Sequence, residues 1–222
     1  MSSNLQTEQL TQAGQQIEHD SFAIVDREVG AHAYRDDQWQ IVRRMIHATA
    51  DFEFNGLSEF SDTAVAAGIQ AILHGAPIVA DVEMICVGLS QPRLAHFGIQ
   101  AHQFIADEDV IAAAREVNST RAVQAMRKAQ RLNLLHGGIV AVGNAPTALL
   151  EVVRQIQEEQ IKPALIVGMP VGFVSAAESK HLLSQLTEIP WIITRGRKGG
   201  STLVVAALHA LLSLAENRQH QA

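Results

Sequence analysis

Apolar positions in the first third of the chain recur at helical intervals. Ile17, Ser21, Ile24 and Val25 share one face of a helix, and Ile41, Val42, Met45, Ile46 and Thr49 mark a second, with Asp36 or Asp37 near its start. A third helix is predicted from Asp62, as its N-cap, to His74, with Gly75 as the stop, because glycine takes the left-handed conformation that ends helices. Beyond residue 77 the pattern changes. Short apolar runs at 78–82, 139–142, 164–167 and 191–194 read as strands, with a weaker one near 100–105. Helical patterns at 111–117, 122–132, 147–158, 176–186 and 203–214 follow most of them.

Continuous apolar runs that alternate with helices signal a parallel sheet covered on both faces. The expected architecture is a single domain over residues 1–222. It is a three-layer α/β/α sandwich with a mostly parallel sheet of about five strands, plus a helical N-terminal portion. In such sheets ligands bind beyond the carboxyl ends of the strands. Four segments are expected there: 81–84, 143–147, 168–172 and 195–201. Their glycines let backbone approach a ligand, and the helix N-termini behind them favour anions.

Composition narrows the classes of function. Hydrophobic residues make up 47% of the 222 positions, enough for a large core. A net charge of −6 argues against a general nucleic-acid binder, although a few arginines can still hold carboxylates in an acidic protein. Cys86 is the only cysteine, so no intramolecular disulfide can form and nothing indicates an oxidising compartment. Residues 1–16 lack the apolar core of a signal peptide, and the longest apolar stretch, 203–215, is too short to span a bilayer and contains His209. A cytoplasmic protein that binds neither nucleic acid nor membrane is expected.

Few residues carry chemistry on spacing alone. The 195–201 segment combines glycines with Arg195, Arg197 and Lys198, but Lys198 precedes the glycine pair, so the P-loop order fails. Residues 168–175 do not give the dinucleotide fingerprint either. A carboxylate or phosphate pocket and a tight turn with solvated charges both stay open for 195–201. His47 has Arg43, Arg44 and Asp51 three or four residues away on a helix. That arrangement suits proton transfer near neutrality, yet spacing favours an ordinary helical histidine. Asp81 and Glu83 read as acids or, more simply, as caps of the helix after their strand. In Asn118-Ser119-Thr120-Arg121, Asn118 or Ser119 is the expected cap. Arg121 then sits in the first turn, where the helix dipole does not favour a cation. Ser21 and Ser90 have no signature of their own. No histidine pair has ligand spacing, and no metal or cofactor is expected.

Several of these segments together resemble one family. His47-Ala48-Thr49-Ala50-Asp51-Phe52, Gly143-Asn144-Ala145-Pro146-Thr147-Ala148-Leu149, the run from Gly168-Met169-Pro170-Val171-Gly172-Phe173-Val174 through Ser175-Ala176-Ala177-Glu178-Ser179-Lys180, and Arg195-Gly196-Arg197-Lys198-Gly199-Gly200-Ser201 look like the precorrin-8X methylmutases and their cobalt-precorrin-8 counterparts. The resemblance covers about residues 16–212. It implies an isomerase of cobalamin biosynthesis, working without a cofactor as a homodimer with its site near the subunit interface. It implies His47 as the catalytic histidine and Ser21, Arg44, Ser90 and Arg121 as residues that contact a corrinoid substrate. A tetrapyrrole carrier that holds the product without catalysis is the alternative. It would keep the arginines and not need His47. A nucleotide-binding α/β enzyme is a third reading, weakened by the failed motifs.

Overall fold

The computed structural model describes residues 11–221. A six-stranded sheet forms the middle layer, in the order β1-β6-β5-β4-β2-β3. Its strands are β1 (Ser58–Phe60), β2 (Ile78–Ala80), β3 (Ala101–His102), β4 (Ile139–Val142), β5 (Leu165–Gly168) and β6 (Trp191–Thr194). All neighbours are parallel except β1, which runs antiparallel to β6. Strand residues alternate between two cores. Ile78, Ala80, Ile139, Ala141, Leu165, Val167 and Ile192 face one; Val79, Val140, Val142, Ile166 and Ile193 face the other, as the two-residue period of a strand requires. Both faces being covered explains why the runs read as continuous apolar stretches.

The first core lies under α1 (Gln12–Glu28), α2 (Asp36–Thr49), α4 (Ala64–Leu73) and α11 (Ser201–Gln221), with α11 packed on both α2 and α4. The second lies under α8 (Arg121–Arg131), α9 (Pro146–Glu159) and α10 (Ala176–Ser184). Helix α7 (Glu108–Glu116) packs against α8. The three-layer α/β architecture and the helical N-terminal portion are as the pattern predicts.

Several particulars differ. The sheet has six strands rather than about five, because β1 is a short edge strand held by pairing with β6 rather than by an apolar run of its own. Three short helices, α3 (Phe54–Leu57), α5 (Glu83–Gly88) and α6 (Gln91–His96), are too brief to show a period. Helix α4 starts one residue later than expected, with Thr63 rather than Asp62 at its N-cap. Gly75 does follow its end in the left-handed region, at φ +67°. In α1 only Val25 of the predicted stripe is buried, while Ile17 and Ile24 are 70% and 44% exposed. This helix lies at the edge of the molecule against α2, so the stripe has no second wall to pack on.

Candidate active site

Helix α2 turns Ile41, Val42, Met45 and Ile46 into the core. The residues beside that stripe, Arg43, Arg44 and His47, meet α1. Ser21 Oγ lies 2.7 Å from His47 Nδ1. The Phe22 ring sits 5.0 Å from the imidazole, centroid to centroid, with the Arg43 guanidinium 4.6 Å over its face. Arg43 in turn donates to Asp26 at 2.8 Å. One turn before His47, Arg44 pairs with Glu18 at 3.3 Å, and only 12% of each side chain is exposed. Glu18, Ser21 and Phe22 thus form one clasp on α1 that fixes Arg44 and His47 on α2. Since Ser21 occupies Nδ1, proton exchange between His47 and a ligand falls to Nε2.

Beside this clasp is a cleft of about 310 Å³. Its walls include Glu18, Arg44 and His47 on one side and Thr202, Val205 and His209 of α11 on the other, with Gly88 at the end of α5. Ser90 stands at the N-cap of α6, and its backbone N–H donates to His209 Nε2 at 3.1 Å. Three of the five residues singled out above, Ser21, Arg44 and His47, therefore come together, and Ser90 adjoins them through His209. Arg121 does not join them. It lies at the start of α8 and lines a different cleft, of about 470 Å³, with Ile111, Arg115, Asn118 and Ser119. The cap of α8 is Thr120 rather than Asn118 or Ser119; its hydroxyl accepts from the Val123 N–H at 3.2 Å.

The glycine-rich segments at the carboxyl ends of the strands prove to be occupied from within. Asp81 is fully buried, and its carboxylate accepts the N–H groups of Gly143, Asn144 and Ala145 at 3.0, 2.9 and 2.6 Å. Burial raises its pKa above the ordinary carboxylate value, and those three bonds oppose the rise. Asp81 is thus neither an exposed acid nor the cap of α5, whose N-cap is Val82 with Glu83 in the first turn. It anchors the loop that precedes α9. The amides of 143–145, expected to be open to an anion, are taken by this carboxylate.

The 195–201 segment is braced in the same way. The buried Lys180 donates to the Lys198 carbonyl at 2.8 Å and to Thr194 Oγ1 at 3.4 Å, and burial lowers its pKa to about 8. Lys198 reaches Asp51 at 2.5 Å and Glu53 at 3.0 Å. Arg195 pairs with Glu59 at 3.0 Å, and the Arg197 guanidinium lies 5.5 Å over Phe173. A Cβ on Gly199 would stand 2.2 Å from the Met169 carbonyl oxygen, so glycine is needed there for loop-on-loop packing. The segment is a braced turn in which Arg195 and Lys198 pair with carboxylates of the protein and Arg197 lies over Phe173. Among the described residues no group of three or more His, Cys, Asp or Glu is placed to hold a metal ion.

Sequence reasoning passed over Glu18, Phe22, Lys180 and His209. His209 alone had a signal, as the one imidazole in an apolar run that continues the helical spacing of Thr202 and Val205.

The chain is similar to known proteins over most of its length. The family model described as precorrin-8X methylmutase matches residues 16–214. A cobalt-precorrin-8 methylmutase from Leptospira interrogans is 52% identical over 95% of this chain and 98% of its own length. One from Priestia megaterium is 49% identical over 94% and 91%. The crystal structure of a precorrin-8X methylmutase from Thermus thermophilus superposes with a TM-score of 0.87 at 51% identity, covering 92% of this chain and 98% of that one. These names are those of isomerases, which favours catalysis over the carrier reading. By the span of the family match and the identity to its members, this chain belongs to the precorrin-8X methylmutase family, isomerases of cobalamin biosynthesis.

Proposed function

We propose that the chain moves a methyl group from C-11 to C-12 of precorrin-8X to give hydrogenobyrinate, or performs the same step on cobalt-precorrin-8 to give cobyrinate, with His47 as general acid. The observation that carries this reading is the Ser21–His47 pair at 2.7 Å, with His47 and Arg44 lining one cleft. The methyl group is already on the substrate, so no donor or cofactor is required. Protonating the conjugated macrocycle from His47 Nε2 promotes the shift. The C-11 to methyl bond breaks as the C-12 to methyl bond forms. Because the reaction is an isomerisation, the proton delivered is matched by one removed, and the same imidazole can take it back. Ser21 holds the ring in place, and acid–base catalysis of this kind contributes about 10²- to 10⁴-fold.

Substrate carboxylates are assigned to Arg44, whose pairing with Glu18 leaves further N–H donors on the guanidinium, and to Arg121. The apolar wall is assigned to Val205 and Ala206, with Ile17 and Ile24 exposed on the Ser21 face of α1. A cleft of about 310 Å³ falls at the low end for a ligand pocket, too small for a whole macrocycle. Arg121 lines a separate cleft within the protomer. Both points support a homodimer in which a second copy completes the site, corrinoid substrate and product being the other partners. The same reading has residues 1–222 working as one cytoplasmic domain. Among the described residues no helix is long and apolar enough to cross a membrane.

Absorption spectra after mixing the protein with cobalt-free and with cobalt-containing substrate test the reading. Conversion of either is expected, and binding without conversion of both would restore the carrier. Arg44→Ala and Arg121→Ala should each weaken product binding by roughly 1.5–3 kcal/mol. Unchanged dissociation constants would remove them from the site. Sedimentation is expected to show a dimer; a fully active monomer defeats that part.

A further inference from the structure

Helix α11 presents one stripe of side chains to two tasks. Thr202, Val205 and His209 line the His47 cleft. Ser213 and Glu216 continue the same face at helical spacing and grip Arg93 of α6, which donates to Ser213 Oγ at 2.8 Å and to both Glu216 oxygens at 2.8 and 2.9 Å. His209 stands where the two halves meet. It is buried, and its Nε2 accepts the Ser90 N–H at 3.1 Å. A backbone amide can only donate, so Nε2 is the accepting atom of this contact. Ser90 heads α6 in an extended conformation, and its hydroxyl makes no cap bond to its own helix. The serine is therefore located by its main chain, gripped on α11 by His209 at one point and by the Arg93 pair at the other, while its side chain is not spent on capping.

We propose that His209 is a positioning residue: through the Ser90 amide it sets the height of the Ser90 hydroxyl against a corrinoid in the His47 cleft. This rests on the reading of that cleft as the corrinoid site and of Ser90, beside its His209 wall, as the substrate contact that the family resemblance implies. The role lies in affinity rather than chemistry, because His209 acts on a group that holds the substrate and not on the proton that moves. A flat, somewhat larger ring without an acceptor, His209→Phe, leaves the amide of Ser90 without its partner. His209→Gln places an oxygen acceptor close to where Nε2 stands.

The test is a double-mutant cycle read by titration with hydrogenobyrinate and by steady-state conversion of precorrin-8X. His209→Phe is expected to weaken product binding and raise KM roughly tenfold with kcat at saturation nearly unchanged. His209→Gln should recover most of the affinity. Ser90→Ala should itself weaken binding, and in that background His209→Phe should add little, since the two act through one contact. An equal loss from His209→Phe with and without the Ser90 hydroxyl overturns the proposal. So does a loss of kcat with KM unchanged, or a Gln variant as weak as Phe in protein that melts like wild type. Were wild type neither to bind product nor to convert substrate, the reading of the cleft would fail instead, a result distinct from any of these.

Discussion

Two regions of this molecule advertise themselves differently. Of the loops at the carboxyl ends of the strands, 143–147 opens on Gly143 ahead of a helix and 195–201 combines three glycines with three cations, and both resemble anion cradles. The α1–α2 clasp looks like an ordinary amphipathic pair. In the fold their roles are exchanged. The first loop has its three amides taken by Asp81, and the second is braced by Lys180 on the Lys198 carbonyl. The clasp leaves His47 exposed beside a cleft, with one ring nitrogen already engaged by Ser21. Glycine and charge mark places where backbone must come close to something, and here that something is another loop. Reactive groups need exposure and orientation, and neither shows in a motif.

The comparison predicts that substitutions in the two regions separate rate from stability. His47→Ala should lower kcat about 10²- to 10⁴-fold while product binding stays measurable and the melting temperature stays close to wild type, because the imidazole is exposed. Stopped-flow spectra and a product titration report both. Turnover within a few-fold of wild type would end the general-acid role.

Asp81→Ala is the reciprocal case. It strips an acceptor from three amides, that of Gly143 buried, and should cost roughly 3 kcal/mol, or about 6–12 °C in Tm. Calorimetry checks this. A variant that melts normally but loses activity would move Asp81 from bracing into the chemistry and break the comparison.

Lys180 sharpens it by pH. Its folded pKa, about 8, lies below its ordinary value of 10.5. The unfolded state therefore binds more protons between those two values, and stability gains from this group as pH rises. Relative to Lys180→Met, wild type should be least favoured below pH ~8 and should recover up to ~2–3 kcal/mol by about pH 10.5. Denaturant melts of both proteins across that window check the sign. A constant difference would mean that the lysine is solvated.

The sheet was legible because β2, β4, β5 and β6 are buried on both faces and read as unbroken apolar runs. The edge strand β1 was not, since three residues held by pairing to β6 carry no pattern. Helix α2 was legible from four core positions. The α1 positions do share one face, but of them only Val25 is buried, with Ile17 and Ile24 exposed. His47, Arg44 and Ser21 were reachable through resemblance. Glu18 and Phe22 were not, because what brings them to the site is the docking of α1 on α2, a tertiary fact with no local period; His209 showed only as the one imidazole in the apolar run of α11.

The smallest effect tests whether the clasp is a unit or merely a neighbourhood. Ser21→Ala removes the hydroxyl at 2.7 Å from Nδ1 but leaves Phe22 against the imidazole and the Arg44–Glu18 pair intact. Nothing that binds carboxylates is lost, so product affinity should change little if Ser21 serves mainly to orient the ring. The histidine keeps its own proton capacity but loses the bond that fixes its tautomer and rotation. A fraction of the molecules would then present the wrong nitrogen, and kcat should fall roughly tenfold, about the 1.4 kcal/mol of one hydrogen bond. Ser21→Thr, which keeps the hydroxyl, should stand between the two. Adding Ser21→Ala to His47→Ala should cost nothing further in kcat, because a group that acts by orienting an imidazole has no work once the imidazole is gone. If the double variant is instead slower than His47→Ala by the same tenfold, Ser21 acts on the substrate directly, and the α1 face belongs to the binding wall rather than to the catalytic histidine.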